Sequence, residues 1–173
     1  MDDALRSRLS ASPLFGGLRD EQLAVVCALL RPREVAAGEV VLRAGELGCE
    51  LFYLFSGAVE VVKGPDDEVV ARLGPGDCFG EMALLEAAPR SASVRASCAS
   101  VLYGLRTKEL HGLQRSEPQV FLMMMMNLAR ELSRRLRRAD EEIARVRGLL
   151  KKREVASSAA PAPECAAASG PKR

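Results

Sequence analysis

Residues 39–74 read EVVLRAGELGCELFYLFSGAVEVVKGPDDEVVARLG, in which short apolar runs alternate with turns that contain glycine. The runs are rich in Val, Leu, Phe and Tyr, which favour strands. Gly57 and Gly64 bracket one run, and the sequence GPDDE from Gly64 supplies typical turn residues. Two further runs of this kind begin at Ser93 and Ser100. Many short strands at close spacing predict a mainly β fold, a sandwich or a jelly roll.

Helices are predicted on both sides of this strand-rich region. The segment DEQLAVVCALLR begins at Asp20, has apolar residues at helical spacing and stops before Pro32, which cannot easily continue a helix. Residues 118–155 are dominated by strong helix formers, and Pro118 suits the first position of a helix. We therefore expect a short N-terminal helix and a long C-terminal one.

The long helix carries an apolar stripe in a seven-residue register. The stripe residues alternate steps of three and four over four heptads and are Leu122, Met125, Ala129, Leu132, Leu136, Ala139, Ile143, Val146 and Leu150. This pattern is typical of a coiled coil, and in a parallel dimer Arg135 would face Asp140 and Glu142 would face Arg147. An amphipathic helix packed on its own domain also needs an apolar stripe. The pattern favours a parallel homodimer and leaves this second interpretation open.

Composition narrows the class of protein. The chain has 173 residues, is 48% hydrophobic and 28% charged, and has a formal net charge of +2, which together are typical of a soluble globular protein. The longest apolar run, residues 120–126, is far shorter than the roughly 20 residues of a membrane span, and the N-terminus shows no signal sequence. The five cysteines form no CxxC pair, so we expect reduced thiols in a cytoplasmic protein, with no zinc site.

The same composition predicts three zones along the chain. We expect a globular domain at residues 1–117, the long helix at residues 118–155 and a disordered tail at residues 156–173, where Ala, Pro and Ser prevail.

Two charged residues stand out between the strand runs. Glu81 and Arg90 flank a segment of mostly small and apolar residues within LGPGDCFGEMALLEAAPRSASVRA, residues 73–96. Charges in such surroundings are costly unless something pairs with them. Taken alone, Glu81 would be an acid at a helix N-terminus and Arg90 a solvated loop residue. The other interpretation is that a ligand supplies their partner.

Residues 73–96 closely resemble the phosphate-binding cassette of cyclic nucleotide-binding domains. That family includes the bacterial catabolite activator protein and the regulatory subunits of cyclic-AMP-dependent protein kinase. The resemblance extends over roughly residues 12–117, and the long helix stands where the family has its C-helix. It implies an eight-stranded jelly roll with an internal cassette helix that begins at about Gly80, flanking helices and a long C-terminal helix.

The resemblance also implies which residues bind a cyclic nucleotide. The positions that contact ribose and phosphate are Gly80, Glu81, Arg90, Ser91 and Ala92, with the backbone of Met82 and Ala83 nearby. Arg90 would engage two phosphate oxygens with its planar fork of donors, and the Glu81 carboxylate would accept a ribose hydroxyl. The free N–H groups of a helix N-terminus favour an anion at the same place.

The base-binding residues are implied less directly. Val61 and Ala71 resemble positions that wall the base pocket, and Arg135 and Leu136 lie near the point where the C-helix caps the base. Family members that use cyclic GMP often have Thr directly after the cassette Arg, whereas Ser, as in Ser91, also occurs in cyclic-AMP binders. The sequence therefore favours cyclic AMP over cyclic GMP.

We accordingly expect a stand-alone cyclic nucleotide sensor that signals through its dimer helix to another protein, without a helix-turn-helix domain and without sequence-specific DNA or membrane binding. Ligand binding would swing the helix about a hinge at residues 108–118, which requires that the nucleotide bind the two arrangements with different affinity. The alternative is a nucleotide-independent dimeric scaffold, or a non-specific nucleic-acid binder that uses the basic C-terminal helix. With His111 as its one histidine, the chain offers no catalytic triad or metal cluster, so we expect no enzyme and no cofactor.

Overall fold

The computed structural model describes residues 3–82 and 88–158. Its helices are α1 (Asp3–Ser10), α2 (Asp20–Leu29), α3 (Thr107–Ser116) and α4 (Pro118–Ser158). Its strands are β1 (Arg31–Val35), β2 (Val40–Leu42), β3 (Glu50–Ser56), β4 (Val59–Lys63), β5 (Glu68–Leu73), β6 (Cys78–Phe79), β7 (Ser93–Ala96) and β8 (Ser100–Arg106). The first compact unit ends at Leu132 and the second begins at Ser133.

The strands of the described residues form two antiparallel sheets. One has the strand order β1-β8-β3-β6 and the other the order β2-β7-β4-β5, with four strands in each. The prediction of an eight-stranded, mainly β fold with helices at its ends and a long C-terminal helix is thereby confirmed. Of the expected cassette helix, Met82 has a helical conformation, and residues 83–87 lie outside the described residues.

Helix α1 and strand β1 were not predicted from the sequence, and α3 occupies the segment that was proposed as a hinge. Pro32 lies inside β1, opposite Tyr103. An edge strand tolerates proline because one side of its backbone needs no ladder partner, and β1 pairs with β8 alone.

Strand β3 is buried on both faces and joins two hydrophobic clusters. Leu51 and Tyr53 belong to a cluster that packs the helices onto the first sheet. Phe52 and Leu54 belong to a second cluster, between the two sheets, to which Val59 and the other inward residues of β4 and β7 contribute. Burial on both faces explains the continuous apolar run in β3. The strand is thus the rigid element on which the candidate site is built.

The first part of α4 is fixed to the N-terminal region of the same unit. Val120, Met124 and Leu128 are buried in the cluster that contains the helices. The buried Asn127 donates from Nδ2 to the carbonyls of Leu14 and Gly16, at 3.1 and 2.8 Å. Buried amides need such partners, so this contact sets the position of α4 against the loop between α1 and α2.

The predicted apolar stripe is not the face of α4 that carries these buried residues. Met125 and Leu132 are partly buried against the first cluster, but Leu122 is 60% exposed. In the second unit, the stripe residues Leu136 and Ile143 are 63% and 49% exposed. The stripe residues of the second unit are therefore exposed in the single chain. None of the helices described here is long and apolar enough to cross a membrane.

Candidate functional site

The site is built where β6 ends beside the start of β3. Gly80 follows β6 with a φ of +80°, a left-handed conformation that side chains other than glycine rarely adopt. A Cβ at this position would lie 2.9 Å from the Glu50 carbonyl oxygen and 2.9 Å from Nη1 of Arg90. Gly80 is therefore required both by its backbone angle and by the close approach of two neighbours.

The Arg90 guanidinium is held by backbone carbonyls. Nη1 donates to the carbonyl of Gly80 at 2.8 Å, and Nη2 donates to the carbonyl of Glu50 at 2.7 Å. The backbone of Arg90 is fixed as well, because its N–H and carbonyl bond to Glu46 and Gly45, each at 2.9 Å. Since a guanidinium carries five N–H donors, donors remain for an anion.

Gly48 provides the surface against which this guanidinium lies. A Cβ on Gly48 would overlap Nε, Cζ and Nη2 of Arg90. Gly48 lies in one of the predicted turns that contain glycine, and neither its contact with Arg90 nor the hydrogen bond to the Glu50 carbonyl was predicted from the sequence. The only sequence signal for this contact was the spacing of Gly45 and Gly48 before β3. A contact that depends on a missing side chain and on a backbone oxygen has no sequence pattern of its own.

The charged side chains of the site, Arg90 and Glu81, are partly or fully buried. Burial lowers the pKa of Arg90, and the nearby Cys49, Glu50 and Glu81 oppose that shift. An arginine nevertheless stays protonated in proteins. Glu81 is itself buried, with 8% of its surface exposed. The structure thus brings together a half-buried cation, Arg90, a buried acid, Glu81, and a left-handed glycine, Gly80.

The other predicted residues of the cassette lie at its two ends. The Ser91 hydroxyl contacts the Met82 sulfur at 3.8 Å, so the ends of the segment approach each other. Ala92 is half-buried and Met82 is exposed. Ala83 lies outside the described residues.

A pocket of about 180 Å³ opens beside Arg90. It is lined by Leu42, Arg43, Glu46, Leu47, Gly48, Cys49, Glu50 and Arg90. Val61 and Ala71 do not line it; they are paired across β4 and β5, with Val61 half-buried and Ala71 exposed. Arg135 and Leu136 lie on α4 in the second unit. Within the described ranges, no cluster of three or more His, Cys, Asp or Glu side chains could hold a metal ion.

Comparison with known proteins shows the family to which the chain belongs. A family model described as the cyclic nucleotide-binding domain matches residues 32–117. The chain belongs to this family. The family is regulatory rather than catalytic.

Individual members of the cyclic nucleotide-binding family resemble the chain over most of its first unit. The cyclic AMP receptor protein of Thermus thermophilus is 36% identical over 138 residues, which cover 78% of this chain and 62% of that protein. The regulatory domain of Toxoplasma gondii protein kinase A, solved with cyclic AMP, is 34% identical with a TM-score of 0.59, over 64% of this chain and 43% of that one.

A glutaminase of Bradyrhizobium diazoefficiens also matches this chain. The two are 36% identical over 137 residues, which cover 79% of this chain and 22% of the glutaminase. The chain spans less than two thirds of the length of the curated relatives described here.

Proposed function

We propose that this protein is a cyclic nucleotide sensor that binds cyclic AMP in preference to cyclic GMP. The observation that carries the proposal is the Arg90 guanidinium, a half-buried cation whose hydrogen bonds go to the backbone carbonyls of Gly80 and Glu50. A cation whose hydrogen bonds go to neutral carbonyls attracts an anion more strongly than one that is hydrogen-bonded to a carboxylate.

The cyclic phosphate would accept hydrogen bonds from Arg90 and from backbone N–H groups after Gly80. The Glu81 carboxylate would accept a hydrogen bond from the ribose 2′-hydroxyl, since an ionised carboxylate is an acceptor only. The small side chains of Ser91 and Ala92 leave space beside the phosphate, and the backbone of Met82 and Ala83 completes the contact.

The base would lie against Val61 and Ala71, and Arg135 and Leu136 would cap it from α4. One observation supports adenine rather than guanine: Ser91 follows the cassette arginine, where many cyclic-GMP binders have threonine.

Transmission would occur through α4 in a parallel homodimer. The stripe residues of the second unit are exposed in the single chain, with Val146 at 42% and Leu150 at 55%. Contiguous apolar surface of this kind marks an interaction site, and the heptad spacing favours a second copy of the same helix. A ligand-linked movement of α3 and α4 would pass the signal to a downstream protein. We further propose that the chain acts in the cytoplasm and has no catalytic activity of its own.

Isothermal titration of the purified protein with cyclic AMP and cyclic GMP tests the nucleotide proposal. We expect saturable binding of both, with cyclic AMP tighter, and loss of binding in Arg90→Ala while the far-UV circular dichroism is retained. A folded wild-type protein that gives no heat and no competition with either nucleotide would contradict the proposal. Binding of nucleic acid that weakens steeply with salt would then favour the basic helix as the functional element.

Light scattering at several protein concentrations tests the homodimer. Ile143→Asp places a charge in the stripe, whereas Ala144→Asp places the same charge one residue away, outside it. We expect the first variant to be a monomer and the second to remain a dimer. Equal masses for both variants would show that the stripe is not the interface.

A further inference from the structure

Arg106 ends strand β8 and forms an ion pair next to the candidate anion site. Its Nε donates to Oε1 of Glu50 at 3.0 Å, and the two residues are direct partners in the ladder between β3 and β8. Hydrogen bonding to Glu50 raises the pKa of Arg106. The Glu50 carboxylate is therefore turned toward the neighbouring strand and is engaged there.

Glu50 also serves Arg90, through a different atom. Its backbone carbonyl accepts the hydrogen bond from Nη2 of Arg90 at 2.7 Å. Its carboxylate is near enough to raise the pKa of Arg90 against the effect of burial. Glu50 thus offers Arg90 a neutral acceptor, its backbone carbonyl. Its side-chain carboxylate carries a negative charge that could take the place of a phosphate beside Arg90.

A carboxylate that turned to Arg90 would compete with the ligand. Carboxylate and phosphate are both recognised by the same planar fork of arginine donors, so the two anions exclude one another. We propose that Arg106 is a positioning residue for nucleotide binding, which holds the Glu50 carboxylate and so keeps the Arg90 guanidinium available to the phosphate. This inference rests on the proposed function, because it concerns the regulation of the same site.

The backbone around Arg106 is anchored independently of its side chain. The Arg106 N–H donates to Oε2 of Glu109 at 3.1 Å. Thr107 donates to the Cys49 carbonyl from its N–H at 2.7 Å and from Oγ1 at 3.0 Å. Substitution of the Arg106 side chain leaves these bonds in place, so the variant is expected to fold.

The test is a double-mutant cycle in which cyclic AMP affinity is measured by titration. Arg106→Gln is expected to bind about fivefold more weakly, the upper range for a partly exposed ion pair. Glu50→Gln removes the competitor, so adding Arg106→Gln to that background should change the affinity by less than about twofold, which is non-additive as expected for coupled groups. Arg106→Lys keeps the pair and should bind like the wild type.

Two results of this cycle would overturn the proposal. One is a fivefold loss that persists in the Glu50→Gln background, since Arg106 would then act directly or through the fold. The other is wild-type affinity in Arg106→Gln. Arg33→Gln is the control, because it removes a charge from another partly exposed pair, with Glu39 at 3.1 Å, and should leave the affinity unchanged.

A second measurement tests the proposed role of Arg106 in the absence of nucleotide. The Nε–H signal of Arg90 is followed by nuclear magnetic resonance in the ligand-free protein. Arg106→Gln should shift this signal when Glu50 is present and leave it in place in the Glu50→Gln background. If the wild type fails to bind cyclic AMP, the proposed function fails, and this signal still tests whether Arg106 keeps Glu50 away from Arg90; no shift in Arg106→Gln would refute that.

Discussion

Arg90 and Arg95 lie five residues apart in the sequence, and their guanidinium groups have different kinds of partner. Arg95, in β7, pairs with Glu60 on the adjacent strand β4 at 3.4 Å and with Asp67 at 3.8 Å. Arg90, just before β7, bonds to two backbone carbonyls.

The difference suits the two arginines to different roles. The charge of Arg95 is matched by carboxylates of the chain itself, and these ion pairs tie β7 to its neighbours. The hydrogen bonds of the half-buried Arg90 guanidinium go to neutral carbonyls, so under the proposed function it can still attract an incoming anion.

The largest expected effect comes from replacing each arginine by lysine, which keeps the positive charge and removes the planar guanidinium group. Arg90→Lys should weaken cyclic AMP binding about 30-fold, because lysine loses the second charge-assisted hydrogen bond to the phosphate. Arg95→Lys should stay within about twofold of the wild type, since exposed ion pairs contribute little. Titration of both variants with cyclic AMP measures this, and equal losses would erase the distinction between the two arginines.

A smaller effect is expected when the Arg90 guanidinium is displaced rather than replaced. Gly48→Ala adds a methyl group that overlaps the guanidinium, whereas Gly74→Ala adds one that meets no atom within 4 Å. We expect the first variant to bind cyclic AMP about tenfold more weakly, because a misplaced donor loses most of one charge-assisted bond.

The thermal midpoints of both glycine variants should stay close to that of the wild type, as the end of a flexible side chain can move aside. A large drop in the midpoint of Gly48→Ala alone would show that Gly48 supports the fold rather than Arg90.

The smallest effect concerns the partner of Arg95. Glu60 accepts from Arg72 at 3.2 Å and from Arg95, and its side chain is 17% exposed. Glu60→Gln should reduce the free energy of unfolding by about 0.5–1 kcal/mol, because two arginines lose a partly exposed ionic partner. Urea denaturation checks this value. Cyclic AMP affinity should not change, and a loss of affinity would mean that the Arg95 network belongs to the site.

The strands that coincide with apolar runs between turn residues could be predicted from the sequence. Strand β1 was missed because Pro32 was interpreted only as the end of a helix. Helix α3 occupies the segment proposed as a hinge and contains Gly112. A proline at a sheet edge and a glycine in a helix are permitted by context that a local pattern does not contain.

Only the side-chain contributions to the candidate site could be predicted from the sequence. Gly80, Glu81 and Arg90 were predicted because they match the cassette that residues 73–96 resemble, and because a cyclic nucleotide needs close backbone approach, an acceptor and a fork of donors. The part played by Gly48 and by the Glu50 carbonyl depends on the meeting of β3 with the segment around Arg90. Contacts made by backbone atoms across forty residues of sequence are set by the tertiary fold.

Nuclear magnetic resonance of the arginine Nε–H groups during addition of cyclic AMP tests the central claim most directly, because both arginines are observed in one sample. The Arg90 signal should shift and saturate with the nucleotide, since its guanidinium gains an anionic partner. The Arg95 signal should stay in place, since Glu60 and Asp67 already occupy that role. Saturable binding with an unmoved Arg90 signal, or with equal shifts of both signals, would contradict the assignment of Arg90 as the phosphate receptor.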